Sequence, residues 1–184
     1  TVATGKAVLG TGARLTLGKY TAGTYTALAF NAATGCSKTM AGTITVMQHP
    51  APLPYIVTGS GTMCAGGSGY NVYLSGSESS VDYQLYNAGV ATGSPIPGTG
   101  AALDLGKQTT AGTYTITGIN RITGCGSGMN GSAVIKVNAA PVAFVVTGGG
   151  SYCNGGAGVA ITMGSTETGV SYQLYQGQQP LAAR

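Results

Sequence analysis

The sequence predicts an all-β chain of tandem antiparallel β-sandwiches, and three observations carry that prediction. First, only 7% of the 184 residues are charged, against about a quarter in ordinary globular domains. Glycine reaches 33 residues, tryptophan is absent, and Thr, Ser, Val and Tyr supply much of the remainder. β-Branched and aromatic side chains suit a pleated, half-buried surface, and glycine suits tight turns. Second, no stretch sustains apolar residues at helical spacing, whereas short alternating runs recur. Third, the chain repeats itself.

The segment "YIVTGSGTMCAGGSGYNVYLSGSESSVDYQLY" (55–86) returns as "FVVTGGGSYCNGGAGVAITMGSTETGVSYQLY" (144–175), with 153 − 64 = 89 positions between equivalent cysteines. The rest repeats too: residues 2–46 match 90–135 with one extra residue near Thr109, and 125 − 36 is again 89. A period near 89 fits an immunoglobulin-like domain of about 100 residues and is too long for solenoid repeats. The chain is cut out of phase. Residues 1–54 form the C-terminal half of one Ig-like repeat, 55–143 a complete repeat, and 144–184 the N-terminal half of another.

Within the complete repeat, turn signals separate strands near 55–59, 70–75, 81–86, 90–96, 101–105, 112–119 and 132–138. Alternation marks an inward face of Tyr70, Val72 and Leu74, then Val81, Tyr83 and Leu85, then Leu103 and Leu105. Tyr114, Ile116, Ile135 and Val137 continue it, and the third copy repeats it with Val159, Ile161, Met163, Val170, Tyr172 and Leu174. "TAGTYT", at Thr21–Thr26 and Thr110–Thr115, predicts a tyrosine corner, in which a Tyr early in a strand bonds the backbone just upstream. "HPAPLP" (49–54) and "NAAP" (138–141) read as linkers.

The Cys-Gly-Gly turn, the "YQLY" strand, "AGTYT" and a "TGC" before the last strand together resemble tandem Ig-like repeats of large secreted surface proteins of Bacteroidota, gliding-motility adhesins among them. The likeness covers nearly the whole chain, and its motifs are structural. It implies an extracellular, adhesive or structural role and brings no catalytic residue with it.

An even number of cysteines in a β-rich, weakly charged chain points to an oxidising compartment. Bridges between sequence neighbours, Cys36 to Cys64 and Cys125 to Cys153, conflict with domains set end to end, because each intervening strand adds roughly 20 Å. Cys64 with Cys125 lies within the one complete sandwich. That pair meets if segments 90–96 and 101–105 act as one bent strand; as separate antiparallel strands they send the two turns to opposite ends. The bent strand, and with it the Cys64–Cys125 bridge, is the expectation here, worth about 3–4 kcal/mol in a chain-entropy account. Cys36 and Cys153 are then expected to pair between chains or with adjacent repeats. A half-sandwich exposes apolar faces and unpaired strand edges, so either the natural chain continues both ways, this sequence being a window from a longer polypeptide, or the 144–184 half of one molecule joins the 1–54 half of the next.

The remaining chemistry is sparse. Four carboxylates, Glu78, Asp82, Asp104 and Glu167, form no flanking pair of the kind a glycosidase uses. His49 stands alone beside prolines, and no acidic or Cys/His cluster offers a metal site. The net charge of +4 is dispersed, which argues against a nucleic-acid surface, and the apolar runs are too short for a membrane span. The glycine-rich runs lack the Lys-Ser/Thr of a phosphate loop. No enzyme activity, cofactor or metal is expected. Tyr86 and Tyr175 point away from the core if Tyr83 and Tyr172 point inward, and are candidates for a surface contact. The expected role is that of a structural repeat in an extracellular surface filament or adhesin stalk, with copies of itself or adjacent repeats as partners. A carbohydrate-binding module, with glycans stacking on the tyrosines, is the alternative. "PLAAR", ending at Arg184, also reads as a trypsin-like processing site or a boundary.

Overall fold

A computed structural model describes residues 5–180, so the site at Arg184 lies outside the described residues. The described chain is all-β, without a helix, and its sheets are antiparallel with one exception. Four short strands come first: β1 (Gly23–Tyr25), β2 (Leu28–Phe30), β3 (Ser37–Thr39) and β4 (Ile44–Val46). The central body holds β5 (Val57–Thr58), β6 (Gly61–Cys64), β7 (Tyr70–Leu74), β8 (Val81–Asn87) and β9 (Val90–Pro97). It continues with β10 (Leu103–Gln108), β11 (Gly112–Asn120), β12 (Gly126–Gly128) and β13 (Ala133–Asn138). Four more strands follow: β14 (Val146–Gly148), β15 (Ile161–Met163), β16 (Tyr175–Gln176) and β17 (Gln179–Pro180).

The body packs two sheets around one core. One sheet runs β10-β7-β5 and the other β6-β13-β11-β8-β9, with β12 added to β11. The first contributes Val57, Val72, Leu74, Leu103 and Leu105, and the second Val81, Tyr83, Leu85, Tyr114, Ile116, Ala133 and Ile135. All but Val57 and Ala133 are inward positions that alternation marks, because side chains i and i+2 share one face of a strand. Burying each large side chain stabilises the fold by about 1.5–3 kcal/mol.

Two inward assignments need correction. Tyr70 is exposed: it opens β7 beyond the core, lays its ring against Gly61, where a Cβ would come within 2.5 Å, and donates its hydroxyl to the Thr62 carbonyl at 2.8 Å. Val137 is only half-buried, since β13 runs past the last core layer before it ends.

The tyrosine corner forms as the motif predicts. Tyr114 donates to the Thr110 carbonyl at 2.8 Å, and Tyr25 donates to Thr21 at 2.8 Å. In contrast, the strand predicted near 55–59 is followed by a second strand, β6, where a turn is expected. β5 pairs with β7 in one sheet; the chain then crosses, and β6 runs parallel to β13 in the other. Gly59 makes the crossing, with φ of +120° and a position where a Cβ would lie 2.1 Å from the Asn71 carbonyl oxygen. Only glycine accepts both conditions.

Segments 90–96 and 101–105 are not one bent strand. β9 belongs to the larger sheet and β10 to the smaller. The buried Ser77 fastens the crossing between them: its hydroxyl donates to Ala101 at 2.6 Å and accepts from Thr99 at 3.0 Å.

Candidate assembly interface

The flanking strands reproduce ladders of the body at the repeat spacing. β1 and β4 pair Gly23 with Val46 and Tyr25 with Ile44, while β11 and β13 pair Gly112 with Ile135 and Tyr114 with Ala133; 112 − 23 is 89. β2–β3 matches β11–β12, β14–β15 matches β5–β7, and β16–β17 matches β8–β9, each in equivalent register.

Three ladders of the body have no counterpart among the described flanking residues: β8 with β11, β7 with β10, and β6 with β13. Each joins a strand of the repeat's first half to one of its second half. Among the described residues, the upstream flank carries ladders of the repeat's second half and the downstream flank ladders of its first half.

The side chains report the same deficit. Ile44, at the position of the fully buried Ala133, is 67% exposed, and Ile161, at the position of the fully buried Val72, is 55% exposed. Leu15, Leu17 and Met40 upstream, with Val146, Tyr172 and Leu174 downstream, are likewise exposed, although Leu103, Leu105, Met129, Val57, Tyr83 and Leu85 are buried. Shallow hollows lie beside Phe30 and Asn31, the counterparts of Ile119 and Asn120, which pair with β8 in the body. Open strand edges and bare apolar faces are the features that favour association.

Tyr86 is half-buried within the larger sheet, between Thr115 and Ala91 on the adjacent strands; Tyr175 is exposed. The cross-strand neighbours of Tyr86 are not aromatic.

All four cysteines are thiols here; Cys36, Cys64 and Cys153 are exposed and Cys125 is half-buried. The register separates Cys64 from Cys125. Cys64 pairs with Asn138 at the downstream end of β13, whereas Cys125 follows the far end of β11, its carbonyl accepting from the Asn120 amide at 2.9 Å. From the ladder Gly112–Ile135, these levels are about eleven residues apart, roughly 35 Å at about 3.3 Å each. A disulfide spans about 7 Å between Cα atoms. The expected Cys64–Cys125 bridge within one body therefore does not fit, because the bent strand that it required is two strands in different sheets.

One turn design carries both Cys36 and Cys125. The side chain of Asn120 accepts the amides of Ile122 and Thr123, and Thr123 accepts the Cys125 amide at 3.3 Å. Asn31 accepts from Ala33 and Thr34 in the same way, and Thr34 accepts the Cys36 amide at 3.5 Å. Cys125 then reaches into the linker, its Sγ donating to the His49 carbonyl at 3.8 Å.

The carboxylates hold the framework. Glu78 accepts the Leu53 amide at 2.6 Å, and Glu167 accepts the Val142 amide at 2.8 Å. Both pairs stand 25 residues apart, and each linker residue follows a proline. The sequence carried this signal as a repeat, but nothing local identified the partner. Asp104 accepts from Asn71 at 2.6 Å and from the Gly106 amide at 2.8 Å. Asp82 lies 3.5 Å from Arg121, whose guanidinium also donates to the Ser79 carbonyl.

No group of three or more His, Cys, Asp or Glu residues stands together as metal ligands among the described residues. No helix among them is long and apolar enough to cross a membrane. No protein-family model matches this chain, and no curated protein matches it.

Proposed function

We propose that this chain is a non-enzymatic structural subunit of an extracellular bacterial surface filament or adhesin stalk. In this reading it consists of Ig-like sandwiches, one complete (55–143) and two halves (1–54 and 144–184), and it extends head to tail as the downstream half of one copy completes the upstream half of the next. The single observation that carries the reading is the complementarity of the flanks. Among the described residues, each keeps the internal ladders of its own half in the body's register, the upstream flank those of the second half and the downstream flank those of the first. Completion in trans is β-strand complementation, and a heterologous contact that does not close on itself makes a fibre. The weak charge, the even number of cysteines and the resemblance to secreted Bacteroidota repeats support the extracellular setting.

Sedimentation velocity of the reduced chain over a wide concentration range tests this reading. The expected result is a series of elongated species growing with concentration and dissociating on dilution. A single monomer throughout overturns it.

A further inference from the structure

We infer that each junction between successive sandwiches is stapled by disulfides between, not within, sandwiches: Cys153 of one copy bonds Cys125 of the next, and Cys64 of the first bonds Cys36 of the next. The inference rests on the head-to-tail reading above and assigns the covalent chemistry at that same contact.

Two observations converge on one position of the repeat. In the body, Cys64 is the parallel ladder partner of Asn138, and the amide of Ala65 donates to the Asn138 carbonyl at 2.8 Å. His49 stands at the same place one repeat earlier, since 138 − 49 is 89, and its carbonyl is the atom that the Cys125 Sγ approaches at 3.8 Å. Transferring the ladder by 89 positions sets Cys153 of another copy beside His49 and directs the Asn154 amide to the same carbonyl oxygen. Cys125 is already there. The same transfer downstream brings Cys36 of the next copy to Asn138, beside Cys64. The thiol at the end of one sandwich and the thiol in the β11–β12 turn of its successor, or the equivalent β2–β3 turn, thus adjoin a single residue.

In this pairing no cysteine takes its partner from its own chain. Each needs the neighbouring copy, and the two staples of a junction then join the same two copies. Each bond forms as two thiols lose two protons and two electrons to an external disulfide such as glutathione disulfide, which leaves as two thiols.

The test mixes unlabelled and 15N-labelled chains, assembles them reduced, oxidises them with glutathione disulfide, and maps non-reduced tryptic peptides. Cleavage after Lys38, Lys107, Arg121 and Lys136 leaves the four cysteines on four different peptides. The expected links are Cys36–Cys64 and Cys125–Cys153, with hybrid-isotope species proving that they lie between chains. Cys125→Ser removes the second link and keeps the first, so the covalent ladder persists; Cys64→Ser with Cys125→Ser abolishes it. Reduced chains that polymerise but give Cys64–Cys125 or Cys36–Cys153 links, or that keep free thiols, overturn the staple and leave strand completion standing. Chains that never associate when reduced overturn both.

Discussion

Glu78 reaches back 25 residues to accept the amide of Leu53 at 2.6 Å, fixing the linker at the point where it enters the body. The same bond recurs between Glu167 and Val142 at 2.8 Å. A carboxylate on a backbone amide is a charge-assisted contact, stronger than a neutral one, and here it ties a linker residue to the strands that follow it. Glu78→Ala is expected to leave the body's melting nearly unchanged, within about 1 kcal/mol given the exposed site. The Leu53 amide should exchange with solvent markedly faster, as hydrogen exchange at that amide will read.

The buried hydroxyl of Tyr114 makes a second, sharper prediction. Tyr114→Phe removes its bond to Thr110 and strands the carbonyl, at a cost of about 1–2 kcal/mol in urea unfolding of the body. Tyr25→Phe breaks the matching bond in the incomplete flank, where the residue is only half-buried. It is expected to leave the body's unfolding alone and weaken association instead.

Core truncation separates body from flank in the same way. Leu74 is fully buried, and Leu74→Ala should destabilise the body by about 2–5 kcal/mol. Its counterpart Met163 is half-buried in the flank, and Met163→Ala should not shift the body's denaturation midpoint.

The pH dependence follows from two phenols. Burial, the largest cause at Tyr83 and the sole one at Tyr114, raises both above the ordinary value of 10.0. From 10.0 up to the folded values, the unfolded chain releases protons that the fold retains. This stabilising contribution is therefore complete below about pH 10 and is lost as pH rises from there through the folded values. Alkaline titration followed by tyrosinate absorbance should show two phenols ionising late, together with loss of β-sheet circular dichroism. Ionisation of every tyrosine near pH 10 with the fold intact would contradict it.

What the sequence disclosed divides along physical lines. Alternation exposed the strands and most of the core, because a strand buried on one face writes its period into the chain, and "TAGTYT" announced its hydrogen bond locally. Tyr70 broke the alternation rule at a strand's first residue, where the core had not yet begun. The switch between β5 and β6 was signalled only by Gly59, a strand glycine of the kind that marks close backbone approach. Misreading the crossing from β9 to β10 moved Cys125 from one end of the body to the other, since hydrophobic pattern does not say which sheet a strand joins. The pairings of Glu78 with Leu53 and of Cys125 with His49 depend on tertiary topology; only the recurrence of the first pair's residues, as Glu167 and Val142, was visible beforehand.

Head-to-tail completion is tested most directly by mixing two chains, each disabled at one end. Ile44→Asp places a charge where the upstream flank must bury a side chain, and Ile161→Asp does so downstream; the body core contains neither. Each variant should keep the wild-type body melting and sediment alone as a monomer. Mixed, the intact downstream half of the first and the intact upstream half of the second should combine into a one-to-one dimer that grows no further. Two variants that stay monomeric together, or that each still polymerise alone, would contradict the account.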